Sequence, residues 1–117
     1  MTDQSHVQTR TSTPTTTGVF ALLKAKPGVT RERVMAIMPA EIRATVQLYV
    51  DGKIREWYSR EDGTGGIFLL NIRDVAEAKS IMESLPLAKE NMLDHEYIPV
   101  GPLMPLRLLM GNQSAKR

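Results

Sequence analysis

A chain of 117 residues with a hydrophobic fraction of 42% is long enough for one domain with a modest core, too short for two ordinary ones, and too apolar to be disordered throughout. A formal net charge of +2, with acidic and basic residues interspersed, lacks the basic stripe or tail of a nucleic-acid footprint, and the absence of Cys excludes disulfides, thiolate metal sites and a cysteine nucleophile. No apolar run reaches membrane-spanning length and no apolar signal segment stands at the N-terminus, so the expectation is a cytoplasmic protein without membrane or nucleic-acid partners.

Residues 1–17, MTDQSHVQTRTSTPTTT, are polar, Thr-rich and aperiodic, which predicts a flexible leader ahead of a single domain over 18–117. VFALLKAK (19–26) reads as a strand that is apolar on both faces for most of its length and so central in its sheet; Pro27-Gly28 stops it. Thr30 offers an N-cap, and Val34, Ile37, Met38, Ile42, Val46 and Tyr49 keep a helical spacing. Pro39 interrupts that pattern, which predicts a short helix, a break near Met38-Pro39, and a second helix to about Val50 closed by Gly52.

KIREWYSR (53–60) is the next strand, and neither of its faces is purely apolar: strict alternation puts Ile54, Glu56, Tyr58 and Arg60 on one side and Arg55, Trp57 and Ser59 on the other. The turn EDGTGG leads into the strand IFLLNI (67–72), a hairpin signal; because this Gly-rich turn joins two strands rather than opening a helix, it lacks the context of a phosphate cradle. Asp74 caps a helix whose stripe is Val75, Ala78, Ile81, Met82 and Leu85, ended by Pro86. HEYIPV (95–100) is the last strand, closed by Gly101-Pro102 and followed by an apolar tail, LMPLRLLM.

The order β-α-β-β-α-β predicts an α+β, ferredoxin-like domain, a four-stranded antiparallel sheet with its helices on one face. Two helices cover one face only, while Phe20, Leu22, Phe68 and Leu70 make the strands apolar. A second copy packed sheet against sheet is the economical cover, so a homodimer or higher homo-oligomer is expected, with the polar groups of KIREWYSR lining an enclosed cavity.

Several residues are candidates for chemistry on a small-molecule substrate. Glu41 would act as a general base if burial raised its pKa; a favourable position in the helix dipole is the alternative reason for an acid there. Arg55 and Glu56 are adjacent on a strand and so point to opposite faces; Arg55 suits a substrate carboxylate or an enolate oxygen, or else a cross-strand or intersubunit ion pair. His95 and Tyr97 share a face of the last strand, His95 suited to proton transfer and Tyr97 to holding an enolate oxygen. Trp57 and Tyr58 suit an aromatic wall or core packing. No metal is expected, since His95 and Glu96 alternate faces and no second His lies in the folded part. No cofactor is expected, and Met35, Met38 and Met82 read as core filler.

Three stretches between residues 39 and 105, namely DGKIREWY, FLLNIRDVAEAKSIMESLPL and HEYIPVGPL, resemble the muconolactone isomerase family of the dimeric α/β-barrel superfamily. The resemblance implies a dimeric α/β barrel and a cofactor-independent shift of a double bond within a small unsaturated lactone by proton transfer. It places Glu41 where that family has a helical Glu and Arg55 where it has a strand Arg; Glu56 stands where the family strand continues with His. A second class of function fits the same shell: a non-catalytic small-molecule-binding or accessory protein.

Overall fold

The first strand alternates sharply in burial. In β1 (Gly18–Ala25), Val19 and Ala21 are fully buried and Leu23 nearly so, whereas Phe20 and Leu22 between them are only partly covered. A computed structural model describes residues 15–103, and in it β1 is a central strand, as its composition predicts. The elements that follow are α1 (Arg31–Val50), β2 (Ile54–Ser59), β3 (Gly66–Leu70), α2 (Val75–Met82), the single turn α3 (Pro86–Lys89) and β4 (Leu93–Val100). The sheet is four-stranded and antiparallel throughout, in the order β2-β3-β1-β4, which is the ferredoxin-like arrangement. No helix among the described residues is long and apolar enough to cross a membrane.

α1 begins where its cap signal lies: the Thr30 hydroxyl accepts the N–H of Arg33 at 3.2 Å. It ends at Gly52, whose φ of +80° lets the N–H of Gly52 donate to the Tyr49 carbonyl and that of Lys53 to the Leu48 carbonyl. The expected break at Met38-Pro39 is absent: α1 is one helix of 20 residues with Pro39 inside it. Proline removes a single rung of the ladder, the one to the Met35 carbonyl. Met35 and Pro39 are both exposed, so water can reach the carbonyl left over, and packing on the opposite side of the helix holds both halves in line. Met35, 52% exposed, is therefore no core residue, whereas Met82 is fully buried.

β2 departs from strict alternation. Ile54 lies opposite Leu70, but Glu56 lies opposite Leu69, so Arg55 occupies a bulge and the strand changes phase. Ile54, Trp57 and Ser59 consequently share the side on which the helices pack, together with Leu70 and Phe68 of β3, while Glu56 and Tyr58 lie on the open side with Leu69 and Ile67. Alternation alone had put Ile54 with Glu56 and Tyr58. Arg55 is taken up by backbone and side-chain partners: its Nη2 donates to the Thr17 carbonyl at 2.8 Å and to Asn71 Oδ1 at 3.0 Å. The N–H of Thr17 in turn donates to the Val100 carbonyl, so the chain is tied into the sheet just ahead of β1. The leader expected at 1–17 and the apolar tail otherwise fall outside the described residues, apart from 15–17 and Leu103.

The core lies between β1 and β3 below and α2 above: Val19, Leu70, Ala78 and Met82 are fully buried, with Leu85 and Leu87 from the α3 connection sealing the edge. Asp74 caps α2 by accepting the Ala76 N–H at 3.3 Å. α2 rests on β1 and β4, whereas α1 rests on β2 and α3 and stands off the central strands. That separation opens the cleft described next.

Candidate functional site

The cleft encloses about 810 Å³ between α1 and the helix side of the sheet. Leu23, Phe68 and Leu93 of the sheet face Val34, Met38, Glu41 and Thr45 of α1; Trp57 stands on the β2 side, and the turn at 63–66 and exposed Arg31 also border the cleft. The wall is mostly apolar. Glu41 contributes its one carboxylate and Arg31 its one cation.

Glu41 is 7% exposed, the one buried charged residue among those described. It sits in the middle of α1, not at its start, so the dipole at a helix N-terminus does not account for it. Positions 34, 38, 41 and 45 form one stripe of the helix, and the stripe turns Glu41 inward. Its Oε1 accepts the N–H of Leu87 at 2.9 Å, in the first turn of α3, where Pro86 has already removed one orphan donor. Burial pushes the carboxyl pKa above its ordinary value of 4.5, and the Leu87 N–H, which favours the ionised form, opposes that rise in part. The result is a carboxylate held in one position in an apolar wall, with a raised proton affinity. Thr45, Arg31 and the Leu87 N–H escape a reading of the sequence by residue type; the 34-38-41-45 spacing is the signal that could have shown Glu41 and Thr45 together.

Trp57 stacks on Tyr49 of α1, ring centroids 4.3 Å apart and planes within 9°. Tyr58 also borders the cleft, but its hydroxyl donates to Glu56 Oε1 on the open side, an interaction that raises the Tyr58 pKa. Arg55 and Glu56 do not border the cleft.

His95 and Tyr97 lie together elsewhere, on β4, with rings 6.0 Å apart. The Tyr97 hydroxyl donates to Glu83 Oε2 at 3.0 Å; burial first, and Glu83 second, push its pKa upward. His95 borders a separate polar recess of about 270 Å³ with Lys26, Glu83, Asn91 and Asp94. The fold thus brings Glu41 to Trp57 and Tyr58, and His95 to Tyr97, but does not bring the two groups together. No group of three His, Cys, Asp or Glu side chains among the described residues could hold a metal ion.

His95 Nε2 is buried without a hydrogen-bond partner among the described residues. Burial lowers its pKa from 6.5, and nearby Glu83 and Asp94 offset that only in part. A lowered folded-state pKa means that the unfolded chain takes up the proton first. The stability tied to neutral His95 is then fully present above pH 6.5 and is lost as pH falls through that value toward the folded-state pKa. Replacing His95 by Phe keeps a flat ring and removes the titration. In urea denaturation the variant should gain on the wild type steadily between pH 7.5 and 5; a difference that stays constant with pH would show that His95 does not titrate in this way.

Compared with models of known protein families and with curated protein sequences, the chain finds no match in either.

Proposed function

We propose that this protein is a small cofactor-independent enzyme that moves a proton within an unsaturated lactone or enone-type molecule bound in the cleft, as its resemblance to muconolactone isomerases suggests. The observation that carries the proposal is Glu41: a carboxylate buried in an apolar wall beside a cavity, with its pKa raised, has the environment of a general base working near neutral pH. The carboxylate takes the proton from the carbon next to the substrate carbonyl, leaving an enolate. The resulting carboxylic acid returns that proton to the far end of the conjugated system, so the double bond moves and no co-reactant is consumed. Arg31 or Thr45, both bordering the cleft, can donate to the enolate oxygen. Arg55 is committed to Thr17 and Asn71 and is left out of this scheme.

The test is exchange in D2O. Wild-type protein should catalyse deuterium incorporation next to the carbonyl of butenolides or cyclic enones, followed by NMR. One observation favours a second reading, a non-catalytic binding protein: Glu41 already accepts a backbone N–H and so anchors α3 to α1. Ligand binding without exchange would select that reading.

The proposed working form is a homodimer. Phe20 and Leu22 of β1, Ile67 and Leu69 of β3, and Ile98 of β4 share the side of the sheet opposite the helices. Packing two such faces would bury more than about 1,200 Å² in total, the size of a stable interface. Sedimentation at micromolar concentration should give twice the chain mass of 13.1 kDa. A stable monomer would overturn the dimer.

A further inference from the structure

We infer that the cleft takes a flat, conjugated, anionic molecule of two or more fused rings, laid against Trp57 with its charged end toward Arg31; this rests on the reading of the cleft as a small-molecule site. Volume is the first reason. About 810 Å³ lies toward the upper end of pockets that hold drug-sized ligands, and a single five-membered lactone would leave most of it to water against apolar walls.

Shape is the second. Tyr49 and Trp57 are 46% and 39% exposed, so their stacking leaves much of two large rings uncovered by the core. Tyr49 lies parallel to the indole, and a planar π-system placed in the cleft against Trp57 would extend that stack. Gly63, Gly65 and Gly66 also border the cleft, so that in the stretch 63–66 Thr64 alone carries a side chain. Met35 and Met38 border it too, and thioethers adapt to aromatic faces.

Charge is the third. Arg31 is the one cation bordering the cleft, and it occupies the first position of α1, where the helix dipole favours an acid instead. Its charge works against the helix and suits an anion in the cleft.

Trp57 is the chain's one tryptophan, so its emission reports on this site alone. Anthraquinone-2-carboxylate should quench it to saturation at one molecule per chain. By calorimetry it should bind at least tenfold more tightly than benzoate, which is flat but small, or adamantane-1-carboxylate, which is bulky but not flat. Trp57→Leu should weaken binding at least tenfold, while Trp57→Phe, which keeps a ring to stack on, restores most of it and guards against a loss that merely reflects a disturbed fold. Arg31→Gln should weaken binding several-fold and reduce its dependence on salt. Equal binding of adamantane-1-carboxylate, or anthraquinone binding indifferent to Trp57→Leu, would overturn the inference. Its failure is separable from that of the enzymatic reading. Flat-ligand selectivity without D2O exchange on any enone sustains the inference and sinks the catalysis, whereas exchange on small lactones without anthraquinone binding does the reverse.

Discussion

Gly65→Ala is expected to destabilise the protein by more than about 3 kcal/mol, from overpacking together with lost hydrogen bonds. A Cβ on Gly65 would stand 2.0 Å from the Leu23 carbonyl oxygen, 2.7 Å from the Leu23 carbonyl carbon and 2.9 Å from Lys24 Cα. All three atoms belong to the backbone of the central strand β1, so no side-chain rotation can make room. The turn would have to lift away, breaking the 2.8 Å bond from the Ala25 N–H to the Thr64 carbonyl and the 2.9 Å bond from Arg60 Nε to the Leu23 carbonyl. Gly63 is the control. Its φ is +76° and a Cβ there meets nothing within 4 Å, so Gly63→Ala should cost only the left-handed strain of about 1–2 kcal/mol. Urea denaturation of the two variants checks the contrast. Because the turn borders the cleft, Gly65→Ala should also weaken ligand binding. A Gly65→Ala variant as stable as the wild type would mean that the turn does not press on β1.

Glu41→Gln should lower kcat by a hundredfold or more on any substrate the wild type turns over, the usual weight of a general base, equivalent to about 2.7 kcal/mol of barrier. The same change should make the protein more stable at pH 8. The folded state raises the Glu41 pKa, so it prefers the protonated carboxyl. That preference adds stability below the ordinary value of 4.5 and is lost as pH rises through the raised folded-state value. At pH 8 the wild type holds an ionised group in an apolar wall. Glutamine is neutral at every pH, and its carbonyl can still accept the Leu87 N–H. The variant should therefore melt a few degrees higher at pH 8, with the gap closing below pH 4.5, a gain in stability set against lost activity. Unchanged exchange kinetics with reduced stability at pH 8 would identify Glu41 as an anchor for Leu87 and nothing more.

The features of this fold that could be read from the chain are those encoded within a few residues of one another. Thr30 and Asp74 cap because a short oxygen-bearing side chain there meets an N–H two or three positions on. Gly52 ends α1 because the closing turn requires positive φ. The run from Val19 announces a central strand because both its faces are apolar, and the order of the elements then limits the sheet to few arrangements. The candidate site was less legible, since each of its parts depends on contacts between residues far apart. Pro39 reads as a break, yet α1 runs through it, because packing on its inner face outweighs one missing hydrogen bond. Pairing with β3 places a bulge at Arg55 and swings Trp57 to the side of Tyr49, which no alternation within β2 could reveal. Glu41 meets its partner Leu87 across 46 residues of chain. His95 and Glu41 look equally suited to proton transfer as residue types; they differ in which helix covers them, and the cleft exists where α1 stands off the central strands. Local propensity acts over one turn or one pleat, whereas a cavity and the pKa of the acid in its wall arise from what the folded chain excludes from water.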